Sequence, residues 1–142
     1  MLNKIKNKLE KELHAYLKEI DRQYSLRKIS PLLFDSIQEF VLRPGKRLRP
    51  TLLILGYMGF DKKEPPGLYT SALSLELLHD YMLVHDDIID KSDLRRGKPS
   101  MHNQLNAYLK KYKDVKFSGT DLAIVAGDVI QRRLIISLTG AS

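Results

Sequence analysis

The sequence predicts an all-α fold, a bundle of about six helices, and two observations carry that prediction. Apolar residues recur every three or four positions in each long segment, which is the spacing of one face of a helix. No segment alternates apolar and polar residues over a sustained run, as a half-buried strand would. With 142 residues, of which 43% are hydrophobic and 29% charged, the chain is sufficient for one domain with a buried core.

The first three helices follow from this periodicity and from helix-breaking residues. Apolar residues from Leu2 to Tyr24 share one face, so the first helix is predicted to be amphipathic. Ser30-Pro31 is a good N-cap and first-turn pair for a second helix, which Pro44-Gly45 ends. A third helix over residues 52–58 is apolar nearly all round and is therefore expected to be buried.

Three further helices are predicted in the second half of the chain. A long helix runs from about Leu68 to Asp90, and a polar loop over residues 91–100 follows it. A short helix covers residues 101–112, and a last helix runs from Thr120 to Leu138. The β-branched residues within 123–130 would also suit a strand. The end of the last helix carries apolar residues that need a surface to pack against: Leu134, Ile135, Ile136 and Leu138.

Composition excludes several classes of protein. The chain has no cysteine, which excludes a disulfide scaffold, thiolate zinc sites and a cysteine nucleophile, and which fits a reducing compartment. The longest apolar run, residues 52–60, is much shorter than the roughly 20 residues of a membrane-spanning helix. Glu10 and Glu12 interrupt the N-terminus before a secretory signal could form. We therefore expect a cytoplasmic protein with no transmembrane segment.

The positive charge of the chain is concentrated near its N-terminus. The formal net charge is +7, and the first 50 residues hold 12 Lys and Arg against 6 Asp and Glu. Such a surface could attract nucleic acid, anionic lipid or a polyanionic small molecule. Nucleic acid is not expected, because the basic residues lie beside acidic ones and little aromatic stacking surface accompanies them.

The segment HDYMLVHDDIID, from His79 to Asp90, is the most informative for chemistry. Asp86 and Asp90 are four residues apart and share a helix face with His79, while Asp87 lies about 100° round. Two carboxylates at this spacing repel, and the helix dipole disfavours negative charge near its C-terminal end. These penalties indicate a shared divalent cation, and all-oxygen ligands favour Mg²⁺. A solvated acidic helix end is the alternative for an isolated DDxxD.

Two basic clusters accompany this acidic face. RPGKRLRP surrounds a Pro-Gly turn that leads into a helix, and KSDLRRGKPS follows the acidic helix directly. A helix N-terminus with neighbouring cations is a phosphate site, although each cluster could also be a solvated loop. The cations are Lys46, Arg47, Arg49, Arg95, Arg96 and Lys98. Together with the acidic face they predict two polyphosphate groups bound close together, one of them through metal.

Four motifs, in order and spacing, resemble those of the trans-prenyltransferases, also called polyprenyl diphosphate synthases. They are GKRLRP (Gly45–Pro50), LHDYMLVHDDIID (Leu78–Asp90), DLRRGKPSMH (Asp93–His102) and AGDVI (Ala126–Ile130). The resemblance implies a helical bundle of the isoprenoid synthase type, usually a homodimer. It also implies Mg²⁺-dependent head-to-tail condensation of an allylic diphosphate with isopentenyl diphosphate, as part of isoprenoid biosynthesis.

The resemblance also implies roles for individual residues. Asp86 and Asp90 match the Mg²⁺ ligands, with Asp87 as a supporting acid, and Arg95 matches the contact to the allylic diphosphate. Asp86, Asp90 and Arg95 are thus the expected catalytic set. The expected pocket for the diphosphate of isopentenyl diphosphate comprises Gly45, Lys46, Arg49, His79 and Arg96. Arg47 and Lys98 match less central positions.

Product length in this family depends on bulk below the first aspartate motif. Tyr81 and Met82 lie five and four residues before Asp86. An aromatic residue at this place is similar to the archaeal type of geranylgeranyl diphosphate synthase, so geranylgeranyl or farnesyl diphosphate is the expected product. Met82 lies more directly below Asp86 by helical geometry, and ordinary core packing is the alternative role for both residues.

One departure from the family pattern concerns its C-terminal half, which carries a second aspartate-rich motif. After AGDVI this sequence contains only QRRLIISLTGAS, so residues 1–142 are expected to be the N-terminal part of a single prenyltransferase domain. A homodimer, or a partner supplying the remaining half, is then expected. The alternatives are a noncatalytic subunit that binds Mg²⁺-diphosphate and needs a partner chain, or a class I terpene cyclase fragment. GKRLRP with His79 and Arg96 counts against a cyclase, which needs no site for isopentenyl diphosphate.

Overall fold

The structure, a computed structural model, describes residues 1–135 and forms seven α-helices within them. The helices are α1 (Leu2–Tyr24), α2 (Leu26–Ile29), α3 (Pro31–Val41), α4 (Leu48–Phe60), α5 (Leu68–Ile89), α6 (Met101–Leu109) and α7 (Gly119–Val129). A π-helical turn over Ile130–Ile135 continues α7. The all-α prediction is confirmed. Residues 91–100, predicted to be a polar loop, hold a small ribbon of two strands, β1 (Leu94–Arg95) and β2 (Lys98–Pro99).

Helix α5 is the centre of the bundle, because it contacts α1, α3, α4, α6, α7 and the π-helical turn. Its buried residues include three acids, Glu76, Asp80 and Asp87, besides the expected apolar ones. Met82 and Ile89 stay exposed on its surface. Among residues 1–135, none of the helices combines the length and the apolar composition of a membrane-spanning segment.

Helix boundaries follow from local chemistry, some of it visible in the sequence. The predicted cap at Ser30 is present, since its hydroxyl accepts a hydrogen bond from the backbone N of Leu33 at 3.3 Å. Ser25, at φ 52°, ends α1 in the left-handed conformation and starts the single turn α2, which the periodicity did not indicate. Residues 123–130 are helical, so the alternative interpretation of this segment as a strand is wrong. Ile136 and Leu138 of the predicted last helix lie outside the described residues.

Helix α7 packs unusually close to two neighbours, and glycine makes this possible. A Cβ atom on Gly119 would lie 2.3 Å from the backbone nitrogen of Asn106 and 2.5 Å from the carbonyl oxygen of His102, both in α6. A Cβ atom on Gly127 would lie 2.3 Å from Cε1 of His85 in α5. These glycines therefore fix the distance of α7 from the helix that carries the acidic residues.

The expectation that the third predicted helix is buried is wrong. In α4 only Pro50, Thr51 and Ile54 are buried, whereas Leu52 is 64% exposed and Phe60 97% exposed. The physical reason is that α4 packs on α1 and α5 with one side, and no element among residues 1–135 covers the other. The helix also begins earlier than predicted, at Leu48, because proline is tolerated in a first turn.

Candidate functional site

A cavity of about 470 Å³ lies where the loop before α4, the middle of α5 and the β-ribbon meet. It is lined by Pro44, Gly45, Lys46, Arg47, Leu48, Arg49, Glu76, His79 and Arg96. All five residues of the expected isopentenyl diphosphate pocket are in this lining, although they come from three separate segments. The fold thus brings together residues that the sequence could group only by resemblance.

The electrostatics of this cavity favour an anion. Lys46 and Arg49 are exposed at its wall, and neither forms an ion pair with a carboxylate within residues 1–135. Leu48 is the first residue of α4, so the free N–H groups of a helix N-terminus lie at the same wall. Burial, and next the positive charge of Arg49, lowers the pKa of His79, so its imidazole is neutral at pH 7 and can share a proton with a phosphate oxygen.

Arg47 and Lys98, the two basic residues that match less central positions of the family motifs, lie in very different environments. Arg47 is buried: its Nε donates to Glu10 Oε1 at 2.8 Å, and its Nη1 donates to Glu76 Oε1 at 2.5 Å. It is therefore a scaffold residue of the cavity wall rather than a free cation. Lys98 is exposed, with its Nζ 3.3 Å from Glu39 Oε1, and is not part of the cavity lining. Nothing in the spacing of RPGKRLRP distinguishes the two buried arginines, Arg43 and Arg47, from the exposed Arg49.

Arg96 reaches the cavity from the tip of the β-ribbon. Arg96 and Gly97 have φ values of 53° and 75°, as the two central residues of a type I′ hairpin require. The Arg96 guanidinium lies over Gly45, where a Cβ atom would be 3.5 Å from Cζ. Its Nη2 donates to Asp80 Oδ1 at 3.1 Å and lies 3.7 Å from Glu76 Oε1. Two buried carboxyl groups therefore hold this cation in place.

Asp80 is the residue that sequence reasoning missed. It is 0% exposed, and burial raises its pKa to about 7 although Arg96 acts in the opposite direction. Its Oδ2 atom has no hydrogen-bond partner within the described residues. The only sequence signal was an acid next to His79 on a largely apolar helix, and that signal does not reveal burial.

The acidic end of α5 divides into two parts. Asp86 and Asp90 are exposed one helical turn apart, and neither forms an ion pair with any cation that the structure describes. Asp87 is instead buried, with Nε of Arg95 3.0 Å from Oδ1 and 3.2 Å from Oδ2. The third acid therefore pairs with the predicted allylic-diphosphate arginine, and residues 1–135 contain no group of three or more acids or histidines arranged to hold a metal ion.

The donor set of the exposed pair nevertheless fits Mg²⁺. Asp86 and Asp90 offer only carboxylate oxygens, and both are accessible to water and to a substrate phosphate. Mg²⁺ is commonly bound by one or two carboxylates while waters and phosphate oxygens complete its octahedron. A Mg²⁺ site at this place would therefore need only the two carboxylates of Asp86 and Asp90, with a diphosphate and waters as the remaining ligands.

Tyr81 and Met82 differ in their surroundings. The Tyr81 ring packs against the His85 ring at a tilt of 56°, with 4.6 Å between centroids, and the His85 Nδ1 atom lies 3.0 Å from the Tyr81 carbonyl oxygen. His85 in turn packs on Gly127 of α7. Met82 is 42% exposed, and its spacing places it on the face of α5 that carries Asp86. Met82 is thus accessible beside the acidic pair, whereas Tyr81 is half-buried.

Comparison with known sequences gives one family. The sequence model of the polyprenyl synthetase family matches residues 30–140. The short chain isoprenyl diphosphate synthase of Methanocaldococcus jannaschii is 35% identical over 126 residues, which cover 89% of this chain and 31% of that protein. The geranylgeranyl diphosphate synthase of Sulfolobus acidocaldarius is 35% identical over 111 residues, 78% of this chain and 29% of that protein. The chain thus spans about a third of the length of these curated relatives.

Comparison with solved structures agrees with the sequence comparison. The crystal structure of the geranylgeranyl pyrophosphate synthase of Corynebacterium glutamicum, complexed with isoprenyl diphosphate and magnesium, superposes with a TM-score of 0.79 at 27% sequence identity. The superposition covers 99% of this chain and 42% of that one. The arrangement of α1–α7 is therefore that of an isoprenoid synthase bundle.

Proposed function

The chain belongs to the polyprenyl synthetase family, and from this membership we propose that it carries the diphosphate-binding part of a prenyltransferase. The proposed reaction is head-to-tail condensation of an allylic diphosphate with isopentenyl diphosphate, giving geranylgeranyl or farnesyl diphosphate in isoprenoid biosynthesis. The observation that carries the proposal is the cationic cavity formed by the loop before α4, His79 and Arg96. His79 lies on α5, the same helix that ends in the acidic pair Asp86 and Asp90.

In this proposal the cavity binds the diphosphate of isopentenyl diphosphate. Lys46 and Arg49 supply positive charge that no carboxylate within residues 1–135 pairs, and at Gly45 and the start of α4 the backbone can approach the diphosphate closely. Arg96 adds a third cation, and neutral His79 a hydrogen bond. Binding there would hold the double bond of isopentenyl diphosphate at a fixed place relative to the acidic end of α5. Holding the two reactants in a fixed orientation is how positioning lowers the barrier of such a reaction.

Asp86 and Asp90 are the proposed holders of Mg²⁺ at the allylic diphosphate. The ion, when bound, neutralises the diphosphate leaving group. Arg95 is the proposed second contact to that group, and the buried Asp87 fixes the direction of its guanidinium. A role of Asp87 as a metal ligand stays a prediction from the resemblance. In this structure its carboxylate instead forms an ion pair with Arg95.

Met82 and Tyr81 are the proposed determinants of product length. Exposed Met82 lies one turn before Asp86, where the growing prenyl chain would extend from the acidic pair. Half-buried Tyr81 would act indirectly, through its tilted ring contact with His85. Shortening Met82 to Ala should then lengthen the product, which mass spectrometry would detect as additional five-carbon units.

The complete reaction is proposed to need a homodimer or a partner chain that supplies the rest of the bundle. The uncovered side of α4 supports this, because Leu52 and Phe60 are exposed there. We place the activity in the cytoplasm as part of the same proposal, since the cysteine-free composition fits a reducing compartment.

The test is incubation of this 142-residue chain with Mg²⁺, isopentenyl diphosphate and geranyl or farnesyl diphosphate. Product mass and calorimetric binding of each substrate are measured in parallel. Product formation establishes the transferase. Binding of both substrates without product means that the rest of the bundle is indispensable for the reaction, whereas binding of only the allylic diphosphate identifies a terpene cyclase fragment. Binding of neither substrate refutes the proposed function.

A further inference from the structure

An ionic network with one excess acid lies behind the cavity. Its three acids are Glu10, Glu76 and Asp80, and its two cations are Arg47 and Arg96. Arg47 joins the first two acids, at 2.8 Å and 2.5 Å, and Arg96 joins the last two, at 3.7 Å and 3.1 Å. With every acid ionised the network would carry one uncompensated negative charge, which is costly where water is excluded.

Asp80 is the member of the network best placed to carry a proton instead. It is the most deeply buried of the three acids, and its Oδ2 has no partner within residues 1–135. Glu76 shares Arg47 and Arg96, whereas Asp80 has Arg96 alone at hydrogen-bond distance. Burial and the charge of Glu76 raise the pKa of Asp80, Arg96 and Arg47 lower it, and the result is a pKa of about 7.

Arg96 connects this proton to the cavity. Its guanidinium lines the cavity beside Gly45 and donates from Nη2 to Asp80 and from Nη1 to the Arg43 carbonyl oxygen at 3.4 Å. When Asp80 is ionised, its negative charge offsets that of Arg96. When Asp80 is protonated, the positive charge of Arg96 is available to a ligand in the cavity.

We propose that Asp80 is a positioning residue of the anion cavity, which holds Arg96 at the wall and sets the affinity for a diphosphate by gaining or losing one proton. The proposal rests on the proposed function, because the ligand is the diphosphate of that site. A bound anion favours the protonated carboxyl, so affinity falls as pH rises through about 7.

The test compares inorganic pyrophosphate binding by the full chain and its Asp80→Asn variant, by calorimetry from pH 5.5 to 9. Asparagine keeps the shape and stays neutral. The variant should bind as tightly as the unchanged chain at pH 6 and about fivefold more tightly at pH 8.5, the order expected for one nearby unit charge. The titration of pyrophosphate and of His79 is common to both proteins and cancels in this ratio. Asp114→Asn, an exposed position, is the matched control and should give a ratio near one at every pH.

A ratio that does not change with pH overturns the role of Asp80 while leaving the cavity assignment intact. Failure of the unchanged chain to bind pyrophosphate at any pH overturns both. Carboxyl-carbon NMR of the unchanged chain, labelled at aspartate, gives a second test that does not depend on the variant folding. The Asp80 signal should titrate near pH 7, with a midpoint that rises when pyrophosphate binds. Titration below pH 5, or a midpoint that pyrophosphate does not move, refutes the proposal.

Discussion

Arg49 is the residue whose removal best separates the two proposed diphosphate sites. Its side chain lines the cavity as an exposed cation without an ion pair within the described part of the chain. Arg49→Ala should weaken isopentenyl diphosphate binding by about 10- to 100-fold, the worth of hydrogen bonds to a charged group. Binding of geranyl diphosphate with Mg²⁺ should change by less than about twofold. Calorimetry with each ligand measures both, and Arg22→Ala, on the surface of α1, is the control. Equal loss of both ligands would mean that the pockets are wrongly divided.

Asp86 and Asp90 lead to a prediction about metal dependence. Both are exposed and free of ion pairs within residues 1–135, so an amide in either place removes charge without disturbing packing. Asp86→Asn and Asp90→Asn should each abolish the increase in geranyl diphosphate affinity that Mg²⁺ produces, while metal-free binding should not weaken, because one repelling charge is removed. Binding is measured once with Mg²⁺ in excess over the protein and once with a chelator in place of the metal. Asp114→Asn should keep the full Mg²⁺ effect, and retention of that effect by both the Asp86 and the Asp90 variant would refute the metal assignment.

Residue chemistry was predictable from the sequence where a side chain is exposed, and not where it is buried. The spacing of Asp86 and Asp90 already places them on one helix face, and both are exposed there. Asp87 and Asp80 belong to the same acidic helix, but each is buried against an arginine of the β-ribbon. Their roles depend on a contact between distant segments, which helical periodicity does not contain.

At the scale of elements, the contact of α7 with α6 gives a prediction about stability. A methyl group at Gly119 would collide with backbone atoms of α6, which cannot move aside as a side chain can. Gly119→Ala should therefore lower the free energy of unfolding by about 1–3 kcal/mol, as overpacking does. Gly56→Ala is the matched control, because nothing lies within 4 Å of a Cβ atom there. That helix-interior change should raise the free energy of unfolding by about 0.5–1 kcal/mol. Urea unfolding measures both, and destabilisation by the two changes alike would contradict the packing argument.

Element positions were predictable from the sequence where local signals exist. The cap at Ser30 and the periodicity of α1 located two helices closely. The β-ribbon escaped notice because its strands have two residues each, too few to show alternation. The burial of α4 was predicted wrongly, since an apolar helix indicates that a partner surface is needed but does not indicate which part of the chain provides it.

At the scale of the whole molecule, Arg47 joins three helices at the cavity wall. It belongs to the start of α4 and pairs with Glu10 of α1 and Glu76 of α5. Its Nη2 also donates to the carbonyl oxygens of Val41 and Arg43, both at 3.1 Å. The position of the cavity loop relative to α1 and α5 therefore depends on one buried side chain.

Removing that side chain should destabilise the fold through the charges it leaves behind. Arg47→Ala leaves Glu76 buried without its closest cation, and the free energy of unfolding should fall by about 3–5 kcal/mol. Arg22→Ala breaks an exposed pair with Glu19 and should change stability little. Adding Glu76→Gln to Arg47→Ala removes the unpaired charge and should restore part of the loss, as measured by urea unfolding of the single and double variants. If the double variant is less stable than Arg47→Ala alone, the destabilisation comes from lost packing, and the network is not what holds the cavity loop to the bundle.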